Sequence, residues 1–151
     1  MGSPKERFKM IPAVYVLLAR EGKVLLIRRF QTGYCDGMYT LPSGHVDGGE
    51  SLVTAAVREA AEEVGVRIRP DLMRLSHVRH RNAEDGERLD FFFVAKSWEG
   101  EPTNAEPHKC DTLRWEQLQN LPANTLPHVR EVITAIGHGE TYSDEGFHTS
   151  A

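Results

Sequence analysis

Glu59, Glu62 and Glu63 stand at i, i+3 and i+4, the spacing that puts three carboxylates on one face of a helix. Such a face is costly by itself. Like charges at these spacings repel by about a few tenths of a kcal/mol per pair. They also occupy the last two turns before Gly65, where the helix dipole is negative and favours Lys or Arg. Arg58 offers the only local relief. A bound divalent cation would turn both penalties into attraction. An all-carboxylate donor set is hard-oxygen chemistry, suited to Mg2+ or Mn2+. Zinc fits less well, because His77 and His80 fall on an expected strand without cysteines at a recognisable ligand spacing.

The elements that must position these acids can be read around them. Ser51 is a suitable N-cap and Gly65 a suitable stop for the helix, whose Val53, Val57, Ala60 and Val64 form an apolar stripe able to pack on a sheet. Ile11 to Ala19 and Val24 to Ile27 read as strands joined by a turn at Glu21-Gly22-Lys23, the second ending in Arg28 and Arg29. Gln31 to Gly49 is a long glycine-punctuated loop, and ordered loops of that length are more often functional than accidental. Further strands are expected at His77–Arg81, Leu89–Ala95 and Leu113–Trp115, and Glu101 to Lys109 reads as a Pro-interrupted loop. A final helix carries Leu126, Val129, Val132, Ile133 and Ile136 at helical spacing. Strands and helices interleave without a regular βαβ repeat, which predicts one α+β domain over residues 1–151, with a core of about 8–137 and a flexible polar tail over 138–151.

Composition sets the outer limits. The chain has 151 residues, 26% of them charged, and 18 basic against 22 acidic residues give a net charge of −4. A broad phosphate-binding surface is normally basic, so general nucleic-acid binding is not expected. A small phosphorylated substrate is still compatible, because a metal ion can supply positive charge locally. The longest apolar-rich run is about half of what a membrane span needs, and the N-terminal residues lack a signal core, so no membrane association and a cytoplasmic location are expected. Cys35 and Cys110 read as two reduced thiols.

From Gly44 the chain reads Gly44-His-Val-Asp-Gly-Gly-Glu50, then seven residues, then Arg58-Glu59-Ala60-Ala61-Glu62-Glu63-Val64-Gly65-Val66. This resembles the Nudix box, Gly-x5-Glu-x7-Arg-Glu-U-x-Glu-Glu-x-Gly-U with U aliphatic, and matches every fixed position. The strand-turn-strand before the box, the lead-in Gly37-Met38-Tyr39-Thr40-Leu41-Pro42, and Trp115 with Leu121-Pro122 after it extend the likeness over about residues 8–137. Tyr39 stands where relatives often carry Trp, and Ser43 where many have Gly.

The resemblance implies an α/β/α sandwich with a mixed sheet. It also implies metal-dependent hydrolysis of a nucleoside diphosphate linked to another group, with a (d)NTP or related nucleotide as the MutT-like default. By similarity, Glu59, Glu63 and the Gly44 carbonyl are metal ligands, and Glu62 is a ligand or the general base. Arg58 orients a carboxylate and pairs with Glu50. A further carboxylate from a distant loop is expected as ligand or base; Glu106 is the first choice, with Glu101 and Asp111 as competitors. Arg28 and Arg29 match basic residues that some relatives place on substrate phosphate, and strand alternation lets at most one of them face the site. His77, Arg79 and Arg81 would share a strand face, either exposed or binding phosphate. Phe91, Phe92 and Phe93 are expected in or near the core, and water is the expected attacker. ADP-ribose, CDP-alcohols, nucleotide sugars and capped RNA ends are alternative substrates. A non-catalytic nucleotide-sensing module is the alternative from another class. Many relatives dimerise, and a homodimer is compatible with the reading.

Overall fold

In the computed structural model, which describes residues 4–147, the sheet is assembled around strand β1 (Ile11–Arg20). Its middle six residues are buried, as a continuous apolar run sealed on both faces should be. Val14, Val16 and Leu18 point to one core, and Ala13, Tyr15 and Leu17 to the other. The remaining strands are β2 (Lys23–Arg29), β3 (Tyr39–Thr40), β4 (Ser43–His45), β5 (Arg74–Ala83), β6 (Gly86–Ala95), β7 (Cys110–Gln117) and β8 (Tyr142–Glu145). They form an eight-stranded mixed sheet ordered β3-β2-β1-β6-β5-β8, with β4 paired to β1 and β7 to β2. β1 and β6 run parallel, from Ile11 opposite Arg88 to Leu18 opposite Ala95. Helix α1 (Leu52–Val64) lies within the connection between them and packs on one face, while α2 (Pro127–Gly137) packs on the other. The result is an α+β sandwich with helices on both sides of the sheet.

Ser51 caps α1 by accepting from the Thr54 amide at 3.1 Å, and Gly65 ends it in the left-handed region at φ 71°. The buried face of α1 is centred on Ala55, Ala56, Ala60 and Val64, whereas Val53 and Val57 are only partly buried. The burial stripe therefore lies one row over from the one expected. Alanine lets the helix approach the sheet closely, and this rotation carries Glu59 into the interface.

Two expectations are corrected here. The polar stretch over 138–151 is not a loose tail within the described residues. Tyr142–Glu145 forms β8, parallel to β5 from Val78 opposite Tyr142 to Arg81 opposite Glu145, and residues 148–151 lie outside the described range. A strand of four polar residues has too short an alternation to be read. The stripe His77, Arg79 and Arg81 is not an exposed face either: His77 and Arg79 are buried. β8 and the residues before it supply the Glu140 carbonyl and Ser143 hydroxyl to the His77 ring at 2.8 and 2.7 Å, and Glu145 pairs with Arg79 at 3.2 Å. Phe92 and Phe93 are core residues, with Phe91 packed at the edge. Among the described residues no helix is long and apolar enough to cross a membrane.

Candidate active site

The end of α1 meets the short strand β4, and Gly44 is the point of contact. A Cβ on Gly44 would overlap the Glu59 carboxylate, so glycine is what lets that carboxylate settle onto the backbone. Glu59 is buried and accepts from Arg58 Nη1 at 2.9 Å. Burial raises the Glu59 carboxyl above its ordinary range, and the Arg58 guanidinium opposes the shift. The same guanidinium grips Glu50 twice, Nε to Oε2 at 3.1 Å and Nη2 to Oε1 at 2.7 Å, and also reaches the His45 carbonyl at 3.3 Å. These bonds hold Glu50 below the usual carboxylate range and tie the preceding loop to the helix. Glu62 is half exposed on the outer side of this cluster, 3.3 Å from Arg58.

Glu63 faces a separate cleft of about 440 Å3, lined also by Arg29, Thr40, Ser43, Glu106 and Lys109. Its carboxylate accepts from the Ser43 amide at 2.9 Å. Burial pushes Glu63 well above the ordinary range; the Ser43 bond opposes this, and the charges of Glu59 and Glu106 reinforce it. Glu106 comes from the loop before β7, which is fastened to the C-terminal end of α1. Ala105 N donates to the Glu63 carbonyl at 3.2 Å and Thr103 N to the Val64 carbonyl at 3.0 Å. Asn104 then braces the turn, accepting from Glu106 N at 3.2 Å and donating to the Cys110 carbonyl at 2.7 Å. Lys109 lies 3.9 Å from Glu106.

The competing acids are engaged elsewhere: Glu101 pairs with Arg20 at 2.9 Å and Asp111 with Arg28 at 2.6 Å. Arg28 does not line the cleft, and of the pair that strand alternation was expected to separate it is Arg29 that does. Alternation along β2 sends Arg28 toward β7 and Asp111, and sends its neighbour Arg29 into the cleft.

A model of the NUDIX domain matches residues 9–136 of this chain. The chain belongs to the Nudix family. Among its relatives, the 8-oxo-dGTP diphosphatase of Escherichia coli K12 is 28% identical over 84% of this chain and 95% of its own length. The NAD-capped RNA hydrolase NudC of Stutzerimonas stutzeri is 30% identical over 76% of this chain, which spans only 39% of that larger protein. Among solved structures, a MutT NUDIX hydrolase from Burkholderia pseudomallei superposes with a TM-score of 0.76 at 26% identity, covering 84% of this chain and 98% of that one. The protein is a Nudix hydrolase, and enzymes of this family use divalent metals.

The residues of this Nudix domain fit such an ion. The charges of Glu62 and Glu106 add to the cost of ionising Glu59, those of Glu59 and Glu106 add to that of Glu63, all these donors are hard oxygens, and Gly44 leaves the room in which the Glu59 carboxylate sits. Among the described residues no three acids, histidines or cysteines already stand close enough to form a ligand set. Arg58 and Lys109 supply the positive charge beside Glu59 and Glu106.

Beyond Arg29, Thr40 and Ser43, which line both spaces, the cleft continues into a second cavity of about 860 Å3. Its lining includes Tyr15, Tyr34, His45, Arg81, Arg88 and His128. Tyr15 stacks on Phe92 with centroids 4.4 Å apart, and its hydroxyl lies 3.3 Å from His128 Nε2. Burial, aided by the charges of Arg81, Arg79 and Arg88, lowers His128 to about 3 and keeps it neutral. Arg88 donates to His45 Nε2 at 3.1 Å, and Arg81 Nε donates to Asp90 Oδ2. Asp90 Oδ1 is buried without a hydrogen-bond partner among the described residues. Sequence reasoning missed Tyr15, Tyr34, Arg88 and His128. The only signal pointing to any of them was the long glycine-rich loop that carries Tyr34.

Proposed function

We propose that this Nudix hydrolase cleaves a phosphoanhydride bond in a nucleoside diphosphate linked to another group, with a (d)NTP or related nucleotide as substrate and Mg2+, or alternatively Mn2+, as the ion. The observation that carries this reading is the meeting of Glu63 and Glu106 at a cleft that opens past Arg29 into a larger cavity, with Glu59 near enough for its charge to act on Glu63. The name of the E. coli relative, matched over nearly its whole length, supports a nucleoside triphosphate.

A divalent ion held there would neutralise diphosphate charge and lower the pKa of an attacking water. Glu59, Glu63 and the Gly44 carbonyl would hold it. Arg58 fixes the Glu59 carboxylate and, through Glu50, the loop that carries Gly44. Arg29, which lines the cleft, would bring positive charge to the phosphate. Glu106 is the candidate to take the proton from water, because its loop is braced by Asn104 while its carboxylate stays at the cleft. Glu62 is the competing base, from the other side of Arg58.

The test is a panel of nucleoside triphosphates, nucleotide sugars, CDP-alcohols, ADP-ribose and 5′-capped or triphosphorylated RNA, incubated with Mg2+ or Mn2+ and analysed by mass spectrometry. The panel includes RNA because relatives are named for NAD-capped RNA and for RNA pyrophosphate hydrolysis. Metal-dependent release of a phosphate or pyrophosphate product from a nucleotide is expected. No turnover on any diphosphate would overturn the hydrolytic reading, and full turnover by Glu63→Gln would overturn the site.

A further inference from the structure

The cations around the acids of the cleft differ in how fully they are engaged. Arg58 donates to Glu50, Glu59, Glu62 and the His45 carbonyl. Arg29 donates through Nε to the Tyr34 carbonyl at 2.6 Å and through Nη2 to the Thr32 hydroxyl at 3.1 Å. Lys109 is held more loosely. Its ammonium lies 3.9 Å from Glu106 Oε2, beyond hydrogen-bonding distance, and its side chain is 61% exposed. The backbone that carries it is nonetheless fixed. Lys109 N donates to the Glu106 carbonyl at 2.9 Å, and Cys110 N donates to the same carbonyl at 3.0 Å. The Lys109 carbonyl accepts at 2.9 Å from the amide of Phe30, the residue after Arg29. A loose cation thus stands on a rigid turn, at the cleft that Glu63 and Glu106 line.

Such a pair separates easily. Exposed Lys–carboxylate pairs contribute little, because water screens them and the side chain gives up freedom to form them. Among the described residues no three acids, histidines or cysteines already stand together as a ligand set, so the acids have to draw inward to hold an ion. When Glu106 turns inward, the Lys109 ammonium is left at the cleft without its anion. An ammonium is a compact point charge with rotatable donors on a flexible stem, and a phosphate oxygen is a partner that suits it. Arg29 lines the same cleft, and the Phe30 bond ties its strand to the Lys109 turn.

We propose that Lys109 has two successive partners: Glu106 in the metal-free protein, and a phosphate oxygen of the substrate once a divalent ion is bound. This rests on the hydrolytic reading for the ion and for the diphosphate. Lys109 makes and breaks no covalent bond and keeps its proton; it passes from one anion to another. It therefore opposes the ion at the acids and joins it at the substrate. Removing its charge has opposite signs at the two, favouring ion binding and weakening diphosphate binding. A lysine that only held the turn in shape would weaken both when replaced.

The test compares the wild type with Lys109→Met, Lys109→Arg and Lys23→Met in two binding measurements. Mn2+ is titrated without substrate and followed by electron paramagnetic resonance. Methylenediphosphonate, a diphosphate whose bridge water cannot cleave, is titrated by calorimetry in saturating Mg2+. Lys109→Met keeps an unbranched stem without the charge. It should bind Mn2+ about two- to fivefold more tightly than the wild type and methylenediphosphonate about tenfold more weakly. Lys109→Arg should bind Mn2+ as the wild type does and recover most of the affinity for methylenediphosphonate. Lys23→Met removes one charge at the opposite end of β2 from Arg29 and should change neither. Four results overturn the proposal: unchanged or weaker Mn2+ binding in Lys109→Met, unchanged methylenediphosphonate binding in Lys109→Met, no recovery in Lys109→Arg, and an equal effect of Lys23→Met. Each of these leaves Mn2+ binding and diphosphate turnover by the wild type intact. Failure of the hydrolytic reading looks different, since the wild type itself would then turn over no diphosphate, and this proposal would fall with it.

Discussion

The cleft at Glu63 and the cavity at His128 meet at Arg29 but are assembled differently. The cleft takes its acids from one turn of α1 and from a loop fastened to the end of that helix. The cavity draws its lining from β1, β4, β5, β6, α2 and the loop at Tyr34. In the cleft the carboxylates crowd one another and two are raised by burial, so the fold bears a cost there. In the cavity Arg81, Arg88 and Tyr15 already have protein partners, in Asp90, His45 and His128. The proposed chemistry thus falls where the fold is least comfortable, whereas the cavity is lined by groups that also hold the sheet together.

The sharpest way to break this contrast is at Glu63. Glu63→Gln should lower kcat by about a hundredfold or more on every substrate, read by turnover in Mg2+. It should also stabilise the metal-free protein by about 1 kcal/mol in urea unfolding, because a neutral amide removes a carboxylate that burial disfavours. A loss of stability would mean that the crowding is not a cost. The opposite sign is expected across the sheet. Asp90→Asn leaves the Arg81 guanidinium without its anion and should destabilise the protein by about 3 kcal/mol in the same measurement. Gly44→Ala should weaken metal binding by about 10–100-fold by displacing the Glu59 carboxylate, with the melting temperature of the metal-free protein nearly unchanged; titration with Mn2+ followed by electron paramagnetic resonance reads it. At the junction, Arg29→Ala should reduce kcat/KM by about tenfold, whereas Arg28→Ala, whose partner is Asp111, should leave it unchanged. Equal losses for the two would erase the distinction that strand alternation makes.

The cleft was legible in the sequence because its parts are close along the chain. Glu59 and Glu63 share a helix face with fixed spacing, Gly44 and Glu50 precede them in one contiguous motif, and Glu106 lies just ahead of the strand that carries Trp115. The helix face was legible only to within one row, since small alanines rather than the valines set its approach to the sheet. The cavity was not legible. Tyr15 and His128 are 113 positions apart and each looks like an ordinary core or helix residue until register brings them together. His77 and Arg79 have the pattern of an exposed basic stripe, and only pairing with β8 shows that they are interior. No local periodicity announces a partner strand 64 residues away, the distance from Val78 to Tyr142.

That partner strand also bears on how copies of this chain avoid one another. Without β8, the sheet would end on β5, ten residues long and able to accept a foreign strand along its open backbone. β8 replaces that edge with four residues that include Asp144 and Glu145, with Gly146 turning away at φ 82°. A short acidic border is a poor template for further pairing, so the segment after α2 acts as a selvedge, finishing the woven sheet so that it does not grow.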